Sequence, residues 1–364
     1  MTADRIRVLV VDDSAFARKV IREVLSRDPE LDVVGIARDG LEALEKVAEL
    51  RPDVITLDLL MPELDGLGVL KALPKESAPK VVVVSAAGSD SDMAMEALQN
   101  GAVEMVTKPT PLATDRLYKV SSELVFKVKT AAAAKPRLHQ EEPTRRMPVF
   151  GMETDIKGSP RAPARIVVIG ASTGGPRALT QLFKMLPANL PVPLAIALHI
   201  PAGYTAPLAA RLSQVGAVPV QEAVDGAELK AGHAVIAPGG THLQVEAKGK
   251  KLYAVVSYGP YDTLHRPSVD LLFESAARVV GEGALGLVMT GMGDDGLKGA
   301  RAVKAAGGRI VAEAASSCVV YGMPRSVVEA GLATAQAPLE HLPELLVTWL
   351  IGNESSPTVN EPFP

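Results

Sequence analysis

The sequence predicts an α/β protein built from two doubly wound parallel-sheet domains. Short apolar runs alternate with amphipathic stretches from residue 5 to about 128, and the alternation restarts at residue 164. The stretch between is rich in Pro, Arg and Glu and keeps no period. A chain of 364 residues is also long enough for two domains, each with its own core.

In the first half the apolar runs are Arg7–Val11, Leu31–Ala37, Val54–Leu57, Val81–Ser85 and Glu104–Thr107. Near-continuous apolar runs of this length read as strands buried on both faces. Helix-period segments lie between them. Ala15–Ser26 places Val20, Val24 and Leu25 on one face, and Gly40–Leu50 follows the second run. Five strand–helix repeats imply a parallel sheet covered on both sides.

Residues 129 to 163 read as a flexible linker, helical at its alanine-rich start. The second half opens with Arg165–Gly170, followed by Leu194–Leu198, Ala217–Val220, Ala234–Ala237, Leu285–Thr290 and Arg309–Ala312. Gln244–Glu246 and Leu252–Val256 flank Lys248-Gly-Lys and predict a hairpin. Pro176–Leu186, Thr205–Val215, Val269–Val280 and Leu297–Ala306 predict helices, giving a second doubly wound domain over 164–351. The polar, Pro-containing end at 352–364 predicts a disordered tail.

Composition narrows the function classes. A net charge of −4 without a basic domain argues against nucleic-acid binding. The first apolar run ends in two aspartates, unlike a signal peptide, and no apolar stretch approaches the ~18 to 20 residues that span a bilayer. The single cysteine, Cys318, cannot form an internal disulfide, which suits a reducing compartment. The expectation is a cytoplasmic protein with no membrane insertion.

Two groups of residues carry chemistry. Asp12 and Asp13 follow the first strand, Asp58 follows the third, Ser85 ends the fourth and Lys108 follows the fifth. In a parallel sheet these positions share one edge, where ligands bind. Converging carboxylates suit a hard divalent cation such as magnesium. A hydroxyl and an ammonium nearby suit a phosphoryl group.

The second group begins at Gly170-Ala-Ser172-Thr-Gly174, between a strand and a helix. This Gly-x-Ser-x-Gly pattern is expected by chance about 0.1 times in such a chain, and its placement matches a nucleophile elbow. Serine needs a base to become nucleophilic, and His199 ends the next strand. Asp295, after the Leu285–Thr290 run, supplies a carboxylate to orient the imidazole. Singly, Ser172 reads as a helix N-cap, His199 as a strand-end histidine and Asp295 as the cap of the helix from Leu297. Together at one sheet edge they favour a hydrolase. A dinucleotide fingerprint fits less well, because Ser172 stands where its second glycine belongs. His139, His233, His242 and His341 lack metal-ligand spacing, and Cys318 reads as buried packing.

The first group, within Val-Asp-Asp-Ser, Leu-Asp-Leu-Leu-Met-Pro-Glu-Leu-Asp-Gly and Thr-Lys-Pro, resembles the response-regulator receiver family over residues 5–128. The resemblance implies a flavodoxin-like fold, phosphorylation at Asp58, Mg2+ held by Asp12, Asp13 and Asp58, and phosphoryl sensing by Ser85 and Lys108.

The whole chain resembles the chemotaxis protein-glutamate methylesterases, the CheB family. The motifs are Ile-Gly-Ala-Ser-Thr-Gly-Gly (169–175), His-Ile-Pro-Ala-Gly-Tyr-Thr (199–205), Ile-Ala-Pro-Gly-Gly-Thr-His (236–242), His-Arg-Pro-Ser-Val-Asp (265–270), Leu-Val-Met-Thr-Gly-Met-Gly-Asp-Asp-Gly (287–296) and Cys-Val-Val-Tyr-Gly-Met-Pro (318–324). The resemblance implies a Rossmann-like methylesterase domain with a triad of Ser172, His199 and Asp295. Backbone N–H groups of Thr173 and Met292 are the implied oxyanion donors, and Arg266 is a candidate for seating an acidic substrate surface. It further implies a phosphorylation-activated serine esterase that needs no cofactor for ester hydrolysis and also deamidates glutamines. Its substrates would be methyl-accepting chemotaxis receptors, and a chemotaxis histidine kinase its phosphodonor. Two positions depart from the family pattern. Leu198 replaces a common Gln and is expected to alter a polar contact near the site, and Asp294 replaces a common Asn and adds a like charge expected to raise one carboxylate's pKa.

Overall fold

The computed structural model describes residues 5–74, 78–86, 91–108, 114–134, 163–259 and 261–351. The first half runs β1 (Ile6–Val11), α1 (Ala15–Leu25), β2 (Leu31–Ala37), α2 (Gly40–Leu50), β3 (Val54–Leu57), α3 (Gly66–Ala72), β4 (Lys80–Ser85), α4 (Ser91–Gln99), β5 (Glu104–Thr107) and α5 (Thr114–Ala133). The strands form a parallel sheet in the order β2-β1-β3-β4-β5.

The apolar runs are strands because both faces are covered. Val8, Val10, Val54 and Val82 pack with Ile21, Leu25, Leu124 and Val128. Leu9, Ile55, Leu57 and Val83 pack on the other face with Val69, Leu70, Ala94 and Leu98. The inner face of α1 differs from expectation. Ala17, Ile21 and Leu25, spaced four apart, are buried, while Val20 and Val24 lie at the margin. Most of the expected linker and the whole expected tail lie outside the described residues, as does His139.

The second half runs β6 (Ile166–Ala171), α6 (Gly175–Met185), β7 (Leu194–Leu198), α7 (Thr205–Val215), β8 (Val220–Glu222), β9 (Glu228–Leu229), β10 (Ala234–Ile236), β11 (His242–Lys248), β12 (Lys251–Ser257), α8 (Val269–Val280), β13 (Ala284–Val288), α9 (Leu297–Ala305), β14 (Arg309–Glu313), α10 (Met323–Glu329), β15 (Ala335–Ala337) and α11 (Leu342–Ile351). Seven parallel strands are ordered β15-β14-β13-β6-β7-β10-β8. The predicted hairpin is β11–β12, and β9 joins it in a small antiparallel sheet. The doubly wound expectation holds for both halves. The run Ala217–Val220 is displaced: its strand begins only at Val220, with Pro219 just before it.

Strand order positions the site. β6 lies centrally, between β7 and β13. The chain leaves β6 toward β7 and returns on the other side at β13, so a crevice opens at the C-terminal ends of these strands. Leu179, Leu182 and Phe183 of α6 cover one sheet face. Leu272, Phe273 and Ala276 of α8 cover the other, with Leu243, Val245 and Ala254 of the hairpin. Fully burying such a side chain contributes roughly 1.5 to 3 kcal/mol, so the strand ends sit on a rigid base. Among the described residues no helix is long and apolar enough to cross a membrane.

Candidate active site

Three strand ends deliver the hydrolase candidates to one place. Ser172 follows β6, and its N–H donates to the Thr290 carbonyl beyond β13 (3.0 Å). His199 follows β7, and its N–H donates to the Ala171 carbonyl (3.1 Å). The ladders thus carry Ser172 between the other two segments.

The turn after Ser172 needs glycine. Gly174 has φ +76°, and a Cβ there would stand 2.7 Å from Val319 Cβ. On the opposite wall, a Cβ on Gly291 would meet Ser172 Cβ at 2.7 Å. Ser172 does not cap α6. Its N-cap is Gly174, which makes no side-chain capping bond.

His199 Nε2 lies 2.8 Å from Asp295 Oδ2. Asp295 is not the cap of α9 but is anchored at the start of α8. Its Oδ2 accepts from Val269 N (2.8 Å), and its Oδ1 accepts from Asp270 N (2.9 Å) and the Ser268 hydroxyl (3.2 Å). Burial opposes the charge on Asp295, but His199 and the two N–H groups prevail and hold its pKa down at about 2. Asp295 is therefore not a carboxylate raised by the like charge of Asp294: Asp294 is exposed, and nearby donors dominate. Leu198 lies fully buried under Gly175, in the apolar layer of α6.

With Nε2 committed to Asp295, Nδ1 is the nitrogen left for Ser172. It is buried and has no hydrogen-bond partner, so the Ser172–His199 hydrogen bond is not formed in this conformation. Thr173 is buried beside Ser172, and Met292 is half-buried on the β13 side.

Sequence reasoning missed several neighbours. The His265 ring stacks on His199 with centroids 4.1 Å apart and planes 22° apart. Burial, then repulsion from His199, pushes the pKa of His265 down to about 4. Asp270 accepts from Gly296 N (2.9 Å) and Gly299 N (2.7 Å), tying α8 to the Asp295 turn. Burial pushes its pKa up to about 6. His242, set aside in the sequence for lack of metal-ligand spacing, is buried, and its Nδ1 accepts from Ser268 N (3.3 Å). The one available signal was the 265–270 motif, which holds His265, Ser268 and Asp270. Arg266 is exposed beside it.

The receiver-like half gathers its own group. Asp12, Asp13 and Asp58 each offer a carboxylate oxygen, all within 4.8 Å of one another. Lys108 Nζ lies 2.9 Å from Asp58 Oδ2 and 3.0 Å from Asp12 Oδ2. Asp12 Oδ2 is nonetheless buried without a hydrogen bond of good geometry. Burial, and then the like charge of Asp12 after the opposing Lys108 bond, pushes the pKa of Asp58 up to about 6. Three carboxylates whose oxygens gather this closely form an all-oxygen acidic cluster, a donor set that fits a hard divalent cation. Ser85 is buried at the end of β4.

The two halves touch at both sites. The Tyr204 hydroxyl, five residues after His199, donates to the Ser85 carbonyl (3.3 Å), and Ser91 Oγ donates to the Gly203 carbonyl (3.2 Å). Thr130 Oγ1 of α5 lies 2.6 Å from Met292 Sδ.

This arrangement defines a class: a receiver domain joined to a parallel α/β domain with a hydrolase-like constellation at its strand ends. The profile of the CheB methylesterase family matches residues 167–346, and that of the response regulator receiver domain matches residues 8–120. A Myxococcus xanthus protein named protein-glutamate methylesterase/protein-glutamine glutaminase 5 is 59% identical over 343 residues, 94% of this chain and 97% of that one. A Thermotoga maritima protein-glutamate methylesterase/protein-glutamine glutaminase is 41% identical over 348 residues, 95% of this chain and 99% of that one. The crystal structure of the Thermotoga maritima CheB methylesterase catalytic domain aligns with TM-score 0.50 at 41% identity, covering 51% of this chain and 98% of that chain. The chain belongs to the CheB methylesterase family, with a response-regulator receiver domain at its N-terminal end.

Proposed function

We propose that this chain is a phosphorylation-activated protein-glutamate methylesterase and protein-glutamine glutaminase acting in chemotactic adaptation. Its substrates are glutamate methyl esters, and certain glutamines, on methyl-accepting chemotaxis receptors. The observation that carries the reading is the 2.8 Å His199 Nε2–Asp295 Oδ2 contact at the sheet edge where β6 ends in Ser172.

The chemistry follows from that geometry. Asp295 is ionised and holds Nε2, so the lone pair of a neutral imidazole lies on Nδ1, the nitrogen without a partner. In the reactive conformer the Ser172 hydroxyl donates to Nδ1. Ser172 Oγ then attacks the ester γ-carbonyl, and Nδ1 takes the proton. The N–H groups of Thr173 and Met292 stabilise the oxyanion. Collapse expels methanol, which leaves with the proton from His199. Water, deprotonated by the same nitrogen, cleaves the acyl-enzyme and regenerates Ser172. Glutamine follows the same course, with ammonia leaving. Ester hydrolysis in this scheme draws on no cofactor.

Regulation runs through the receiver. Asp58 accepts a phosphoryl group from the chemotaxis histidine kinase, and Asp12, Asp13 and Asp58 would hold a Mg2+ ion, which would supply positive charge there. Lys108 and Ser85 sense the phosphoryl group. The Tyr204–Ser85 and Thr130–Met292 contacts join that switch to the loops bearing His199 and Met292. We assign residues 5–128 to the receiver, 129–163 to the linker and 164–351 to the catalytic domain. A cytoplasmic location accords with the single thiol of Cys318.

The test is methanol release from methylated receptor. Ser172→Ala is expected to lower the rate at least about 10³-fold. A variant that releases methanol at the native rate would sink the assignment.

A further inference from the structure

Glu313 ends β14 with no solvent exposure, and no Lys, Arg or His pairs with it among the described residues. Its Oε2 accepts from Thr290 N (2.8 Å) and its Oε1 from Ser317 Oγ (2.8 Å). Burying a carboxylate without a cation is costly, so its hydrogen bonds need an explanation.

Position supplies one. The β13–β14 ladder ends at the Val288–Ala312 pair. Thr290 lies beyond it, where its N–H faces no neighbouring strand carbonyl. The Glu313 side chain accepts that N–H in place of a backbone group.

Thr290 is the hub of the wall facing Ser172. Its carbonyl accepts from Ser172 N (3.0 Å). Its hydroxyl donates to the Thr173 carbonyl (2.9 Å) and accepts from Val320 N (3.0 Å). Gly291 N then donates to the Val320 carbonyl (3.0 Å), and Met292 follows. Both candidate oxyanion donors are thus tied to one residue whose own N–H ends on Glu313.

We propose that Glu313 is a positioning residue for the oxyanion site: by holding Thr290 through its N–H, it sets the separation of the Thr173 and Met292 backbones across Ser172. The inference rests on the serine-hydrolase reading above. A glutamine at 313 can still accept from Thr290 N and donate to Ser317 Oγ. An alanine leaves a buried N–H unsatisfied, and Thr290 must shift to recover a partner.

The test uses the full chain on methylated receptor, with active sites counted by end-point fluorophosphonate labelling of Ser172. Glu313→Ala is expected to lower kcat per labelled site about 10- to 100-fold with KM within about twofold, since displacing oxyanion donors by about 1 Å costs that much. Glu313→Gln should stay within about threefold of native. A merely structural role would instead reduce the fraction of sites that label and leave kcat per site unchanged. If Glu313→Ala does not fold, Glu313→Met, which fills a similar volume with no oxygen to accept from Thr290 N, enters the same assay with the same expected loss in kcat. Unchanged kcat per labelled site in whichever variant folds, or a Gln variant as impaired as Ala, would overturn the inference alone. A native chain that does not label at Ser172 would sink the hydrolase reading, and the inference with it.

Discussion

The imidazoles of His265 and His199 lie face to face, 4.1 Å apart and 22° from parallel. His265 is held neutral because burial and the facing ring push its pKa down to about 4. A neutral ring on the face of His199, the proposed base, limits its tilt without competing for its proton. His265→Ala should lower kcat about 10-fold by releasing that ring. His265→Phe, which keeps a flat apolar face, should recover most of it. Steady-state kinetics of both variants decide the matter, and an Ala variant with native kcat would refute the role.

Asp295 makes the fold acid-sensitive in a definable window. Its pKa is about 2 when folded, below the unfolded value of about 3.9. The folded state therefore binds fewer protons, and the stabilisation is fully present above about pH 4. It is lost as pH falls through 2, and amounts to roughly 2 to 3 kcal/mol for a side chain this buried. Thermal unfolding from pH 5 to 2 should show the Asp295→Asn variant losing less stability than the native chain. Parallel curves would contradict the assignment.

Asp58 is the expected phosphoacceptor and lies far along the chain from Ser172. Asp58→Asn should keep basal methanol release within about twofold and lose stimulation by a small phosphodonor. Normal stimulation of the variant would show that another group accepts phosphate.

Tyr204 offers a way to loosen the two halves without touching Ser172 or Asp58. Its hydroxyl donates to the Ser85 carbonyl, and its ring is fully buried. A net hydrogen bond is worth about 1 kcal/mol, or about a fivefold shift in a two-state balance. Tyr204→Phe should raise unphosphorylated activity by up to that factor and shrink the further gain on phosphorylation. Assays with and without phosphodonor would reveal it, and an unchanged ratio would exclude the contact as a coupling element.

Much of the fold was legible because β1, β3, β6, β7 and β13 are buried on both faces, which forces unbroken apolar runs. β9 and β15 were not, since strands of two and three residues carry no period. β14 was cut one residue short because Glu313, the last strand residue, is charged, and charge normally marks an exit from the core. Val20 and Val24 misled for a related reason: apolar character says which side chains tolerate burial, not which four-residue spacing faces the sheet.

Local patterning by itself determined that Ser172, His199, Asp12, Asp58 and Lys108 fall at strand ends, because strand and helix periods are written in neighbouring residues. Only the tertiary structure decided that β6 lies between β7 and β13, that His199 engages Asp295 through Nε2, that α8 anchors that carboxylate, and that His265 and Glu313 stand behind the site. Those partners meet through pairings tens of residues apart, where strand order and the satisfaction of buried polar groups choose among many arrangements that the same local pattern allows.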